Sequence, residues 1–195
     1  MILGITGGTG CGKTTLLQAV EQRGGLALDC DKIYHRLLRT DPALTAAIEA
    51  RFPGTASGGV LDRKALGARV FADPAALLDL NRITHGAVKA EVLRLLTPRP
   101  ALAAIDAIAL FESGLAALCD VTVAVCAPKE VRAARLMARE GISREYALAR
   151  IRAQAAGEEF AKRCDYSLEN DGTLERFRMK CLAFIDEIQK KETVS

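Results

Sequence analysis

ILGITGGTGCGKTTLLQAVEQRGGLALDC, residues 2–30, decides the fold. Residues 2–6 form a short apolar run suited to a buried strand, and Lys13 to about Arg23 puts Leu16, Leu17 and Val20 on one side of a helix. Gly24 and Gly25 stop that helix, and Leu26–Cys30 is a second short apolar run. Strand, loop, helix, turn and strand in this order spell the βαβ unit of a parallel sheet.

The loop inside the unit carries the chemistry. Gly7, Gly12, Lys13 and Thr14 stand at the spacing GxxxxGK[ST], between a strand and a helix. Glycine tolerates positive φ and close backbone approach, so successive N–H groups across Gly8, Thr9, Gly10, Cys11, Gly12, Lys13, Thr14 and Thr15 can point at phosphate oxygens. The helix N-terminus adds its positive dipole end. Lys13 can reach the β and γ phosphates, and the Thr14 hydroxyl is the expected Mg²⁺ ligand. The stretch therefore implies a bound nucleoside triphosphate.

Working outward, Ala103–Leu110 and Val121–Cys126 read as further buried strands, giving a doubly wound α/β core. Between the second and third strands some seventy residues show mainly helical periods. Asp41 and Asp73 each precede a proline, as N-cap and first-turn proline. Ala75–Leu96 sets Leu78, Val88, Val92 and Leu95 at helical spacing, and the segment predicts a helical lobe beside the sheet. Pro128 opens a helix, and residues 129–163 hold nine Lys or Arg against five Glu, which suits either a solvated helical pair or a basic flap. Leu174, Phe177, Cys181, Phe184, Ile185 and Ile188 form one packing stripe on a terminal helix.

Two acids close the second strand. Asp29 and Asp31 stand two apart, on one face if the segment stays extended, at the carboxyl edge where parallel sheets bind ligands. Asp31 can accept the proton of an attacking hydroxyl or hold Mg²⁺ through water; it can also cap a helix over Lys32–Leu38. Asp29 suits an outer supporting position, and Asp106, near the third strand's end, suits metal or water orientation or a plain structural acid.

Composition bounds the rest. The chain has 195 residues, half of them apolar, enough for one substantial core with small inserted lobes. A net charge of +3 from 27 basic and 24 acidic residues is too mild for a general nucleic-acid or membrane binder. No apolar run approaches the ~20 residues of a membrane span, and the start has no signal-peptide pattern, so a cytoplasmic protein is expected. The six cysteines form no CxxC pair and read as reduced packing thiols, with Cys11 expected to be accessible within the loop. Oligomeric state leaves no mark in the sequence.

The motifs together resemble the dephospho-coenzyme A kinase family. TGGTGCGKTT at 6–15 is similar to that family's TGGIGSGKST, and LDCDKI at 28–33 to its DAD segment, whose second acid, the catalytic base, falls on Asp31. GGVLDRKALGARVFADP at 58–74, LNRITH at 80–85, ALFE at 109–112, and then RLMAREGIS, RIRAQ and ENDG follow the family's order. The resemblance implies an ATP- and Mg²⁺-dependent kinase whose partners are the small molecules ATP and dephospho-coenzyme A. It implies a core over 1–32, 101–130 and 161–195, a helical acceptor lobe over 33–100 and a helical lid over 131–160. It also implies that Arg135 and Arg139 stabilise the transferring phosphoryl group, and that His85, Leu110, Phe111 and Glu112 line the acceptor pocket. Gly86, Ile108 and Ala109 depart from the pattern in the acceptor wall, while Thr9, Cys11, Glu140 and Glu169 are milder departures. A shikimate- or gluconate-type kinase fits the long helical insertion less well, and a GTPase-like switch lacks its NKxD guanine motif.

Overall fold

The computed structural model describes residues 1–154 and 157–193, with Phe71, Glu192 and Thr193 described by backbone alone. Residues 155 and 156 of the expected lid, and 194 and 195 of the expected core, lie outside the described residues. The chain divides into two units: residues 1–29 with 99–195, and residues 30–98.

The first unit begins with β1 (Ile2–Thr6), α1 (Lys13–Gln22) and β2 (Leu26–Asp29). The second holds α2 (Cys30–Thr40), α3 (Pro42–Arg51), the two-residue strands β3 (Ala56–Ser57) and β4 (Val60–Leu61), α4 (Arg63–Ala72) and α5 (Pro74–Leu95). The chain then returns to the first unit through β5 (Ala103–Asp106), β6 (Val121–Cys126), α6 (Lys129–Glu140), α7 (Arg144–Arg152), α8 (Gly157–Arg163), β7 (Tyr166–Glu169) and α9 (Leu174–Thr193).

The main sheet has five parallel strands in the order β2-β5-β1-β6-β7, so β1 is central and buried on both faces. Strand alternation divides its side chains. Leu3 and Ile5 of β1 join Val123 and Val125 of β6 in one cluster with Leu16, Leu17 and Val20 of α1 and Phe177, Cys181, Ile185 and Ile188 of α9. Ala124 and Cys126 face the other way, against Phe160 of α8. Each large apolar side chain fully buried here contributes about 1.5–3 kcal/mol. Leu174, expected in the α9 stripe, is 63% exposed at the start of the helix.

The second unit has its own core of Leu38, Leu44, Ile48, Phe52, Leu66, Val70, Ala76 and Leu80. Asp41 and Asp73 cap α3 and α5 as expected, accepting from Ala43 and Leu44 and from Ala75. The buried stripe of α5 is Ala76, Leu80, Thr84, Val88 and Val92, a strict fourfold repeat. Leu78 is 64% exposed, because a residue two places from Ala76 and Leu80 lies well round the helix from both. The β3–β4 hairpin interrupts the expected helical lobe. Its turn is Gly58-Gly59 with both φ positive, the pair that a tight two-residue hairpin turn favours.

Two strand expectations are corrected. The third buried strand ends at Asp106, not Leu110. Ala107 still donates to Ile5, but Ser113 N and Ala116 N then donate back to Ala109 and Leu110, and this turn cannot lie flat in a sheet. A fifth strand, β7, joins the far edge beside β6. Its four residues have one buried side chain, Leu168, too few for a readable period.

Candidate functional site

β1 ends at Thr6, and the glycine loop crosses the carboxyl edge of the sheet before α1 starts at Lys13. Gly12 takes the left-handed N-cap position with φ 106°. A β carbon there would also overlap Nδ2 of Asn170, so the position excludes a side chain on two counts.

The carbonyls of the loop all accept hydrogen bonds. Lys13 Nζ donates to Gly7 O at 2.9 Å and Gly8 O at 3.4 Å. Arg132 Nε donates to Thr9 O at 2.8 Å, and Arg135 Nη1 donates to Gly10 O and Cys11 O, both at 3.4 Å. Asn170 Nδ2 also donates to Cys11 O at 2.8 Å, and Thr15 N to Gly12 O at 3.0 Å. Of the amides, Thr9 N donates to Gln154 Oε1 and Cys11 N to Gly8 O. The N–H groups of Gly10, Gly12, Lys13 and Thr14 have no acceptor among the described residues. Carbonyls turned to cations and amides left to point elsewhere make an anion-binding nest at a helix N-terminus, next to three positive side chains.

The sequence-derived loop residues separate by burial. Thr14 is exposed at the head of α1, and Thr15 is half-buried. Cys11 is not the accessible thiol expected: it is 1% exposed, and burial pushes its thiol up despite the opposing charge of Lys13. Its side chain belongs to the core, and only its backbone faces the loop.

The acids occupy different elements. Asp29 and Asp106 are register partners across β2 and β5, so their α carbons lie side by side at the carboxyl edge. The helix after β2 begins at Cys30, without an intervening loop, so Asp31 is exposed in its first turn. It is neither an extended-segment neighbour of Asp29 nor the N-cap of a helix starting at Lys32. An acid in that turn is favoured by the helix dipole.

Leu110, Phe111 and Glu112 lie in the turn after β5. Leu110 is fully buried, while Arg163 at the end of α8 lies over the Phe111 ring, 4.3 Å from its centroid, and pairs with Glu112. His85 is half-buried within α5 of the second unit. Arg139 is exposed at the end of α6 and pairs with Glu140, which Arg150 of α7 also holds. α6 and α7 pack through Ala133, Leu136, Ala147 and Ile151.

Arg132 and Asn170 are site residues that the sequence reading did not single out. Arg132 lay among nine basic residues with nothing to mark it. Asn170 lay in the quoted ENDG stretch, and its marker was that a short polar amide directly follows a strand end. Among the described residues no group of three or more His, Cys, Asp or Glu could hold a metal alone. The Thr14 hydroxyl and the strand-end carboxylates of Asp29 and Asp106 are oxygen donors, the donor chemistry that Mg²⁺ takes alongside phosphates and water. Among the described residues no helix is long and apolar enough to cross a membrane.

A family model described as dephospho-CoA kinase matches residues 1–176. A dephospho-CoA kinase from Deinococcus radiodurans is 40% identical over 177 residues, covering 89% of this chain and 85% of that protein. Among solved structures, a Thermus thermophilus protein superposes with a TM-score of 0.80 at 37% identity, covering 96% of this chain and 97% of that one. A dephospho-CoA kinase from Campylobacter jejuni gives a TM-score of 0.67 at 28% identity, covering 98% of each chain.

Proposed function

The chain belongs to the dephospho-CoA kinase family, and on that premise we propose how its own residues divide the work. The reaction is ATP-dependent phosphorylation of the ribose 3′-hydroxyl of dephospho-coenzyme A, which gives coenzyme A in the last step of its synthesis. The observation that carries the assignment of the ATP site is the sorting of loop groups, with carbonyls satisfied and the Gly10, Gly12, Lys13 and Thr14 amides left for phosphate oxygens.

Lys13 holds the β and γ phosphates, releasing its carbonyl contacts as it turns to them. The backbone of Gly8, Thr9, Gly10, Cys11 and Gly12, with Thr15, shapes the cradle. Thr14 presents the hydroxyl that holds Mg²⁺. When bound, that ion would supply positive charge against the charge carried by the phosphate chain. Asp31 takes the proton of the acceptor hydroxyl as the oxygen attacks the γ phosphorus and the bond to the β-phosphate oxygen breaks, leaving ADP. Arg135 steadies the loop, and Arg139 meets charge on the transferring phosphoryl group when the helices of residues 131–160 close as a lid. His85, Phe111 and Glu112 bind the acceptor, with Leu110 supporting their wall from the core.

The test is incubation with ATP, Mg²⁺ and dephospho-coenzyme A, with mass detection of the product. A product heavier by one phosphate group is expected. ATP consumption without that product refutes the assignment.

A further inference from the structure

Arg132 leaves the first half of α6 and is only 5% exposed, although it carries a full charge. Its Nε donates to Thr9 O at 2.8 Å, and its Nη2 donates to Gln154 Oε1 at 3.2 Å. The same Gln154 oxygen accepts from Thr9 N at 2.8 Å. Arginine, glutamine and the two polar backbone groups of Thr9 thus close a ring that fixes how the loop turns before Gly10. A planar guanidinium serves this well, because its donors leave at fixed angles and reach two acceptors at once.

The ring also accounts for a loop glycine, Gly8, that the triphosphate pattern leaves open. Gly8 does not have a positive φ, so its backbone conformation alone admits a side chain, whereas Gly10, with φ 77°, needs glycine in any case. A β carbon at Gly8 would overlap Nη2 of Arg132. Gly8 is glycine because a guanidinium lies on it.

We infer that Arg132 is a positioning residue for the ATP polyphosphate: with Gln154 it locks the Thr9 peptide, and so aims the free amides that follow and keeps a positive charge under the loop. The inference rests on the assignment of the loop as the ATP site and adds to it a residue that touches no substrate. Binding of the phosphate chain should depend on it, and binding of the adenosine part should not.

Calorimetric titration of the full chain with ATP and with AMP tests this. Arg132→Met should weaken ATP binding about 10- to 100-fold, the scale of one charge-assisted hydrogen bond, and shift AMP binding by no more than about twofold. Arg132→Lys keeps the charge but reaches only one acceptor, so it should fall between the two. Gln154→Leu should weaken ATP in the same selective way, and combined with Arg132→Met should add less than the sum. In turnover, KM for ATP should rise while KM for dephospho-coenzyme A holds. If Arg132→Met does not fold, Arg132→Lys and Gln154→Leu decide. Variants that bind ATP as tightly as the wild type, with an unchanged ATP-to-AMP ratio, overturn the role of Arg132. A wild-type chain that binds no ATP overturns the assignment of the loop itself.

Discussion

Removing the Asn170 side chain should destabilise the first unit by an amount that the hydrogen bonds set. Asn170 is 4% exposed; its Nδ2 donates to Cys11 O at 2.8 Å and its Oδ1 accepts from Arg135 Nη2 at 2.9 Å. Asn170→Ala deletes a neutral bond, contributing about 0.5–1.5 kcal/mol, and a bond to a charged donor, contributing about 1.5–3 kcal/mol. Its backbone bond to Cys126 O survives the change, and Cys11 O keeps its longer contact with Arg135. The expected loss is therefore about 2–4 kcal/mol, which lowers Tm by about 5–15 °C for a chain of this size. Urea unfolding followed by circular dichroism, with a thermal scan, measures it. Because the two residues share a bond, Asn170→Ala and Arg135→Met should together cost less than their sum, by about 1–2 kcal/mol. A loss below about 0.5 kcal/mol, the scale of a bland surface change, would refute the claim that Asn170 ties the loop to the sheet.

Asp31→Asn should leave ATP affinity within about twofold and lower kcat by about 10²–10⁴, as removal of a general base does; calorimetry and a coupled ADP assay check the pair. Burial pushes the Cys181 and Cys119 thiols up to about 12 and Cys126 up to about 11, and Cys11 also rises. Iodoacetamide at pH 7.5 should leave these four unlabelled in the native protein and label them in urea, as peptide mass mapping would show. Bonds from Arg94, then from Arg36, hold the Glu91 carboxyl down at about 2 against an ordinary 4.5. The unfolded carboxylate thus takes up a proton near pH 4.5 that the native one refuses. This contribution to stability is fully present above pH 4.5 and is lost as pH falls toward 2. Glu91→Gln should consequently narrow the Tm difference between pH 7 and pH 3, and an unchanged difference would refute the pairing.

Where the sequence misled, long-range partners were the cause. The apolar run Ala103–Leu110 read as one buried strand, but Thr6 Oγ donates to Ile108 O and the following turn folds back on Ala109 and Leu110. The Asp29-Cys30-Asp31 spacing predicted a shared face only if the chain stayed extended, and the immediate start of α2 ended that alternation. The Gly58-Gly59 dipeptide is a hairpin signal, but the helical periods on both sides of it led to an expectation of a helical lobe. The exposed Leu78 and Leu174 follow from which side of each helix meets a partner, which apolar spacing leaves ambiguous within one helix.

By itself the sequence determined the order β1, loop, α1, β2, the caps at Asp41 and Asp73, and the GxxxxGK[ST] spacing on which the proposed roles of Lys13 and Thr14 rest. Each depends on residues within a few places of one another, where backbone preference and spacing act directly. Only the tertiary structure decided that Arg132, Gln154 and Asn170 shape the loop, because they meet it across 123, 145 and 159 residues. A guanidinium or amide carries no mark in the chain of whether it will end in solvent or against a buried carbonyl; packing settles that, and with it which loop amides are left without an acceptor among the described residues.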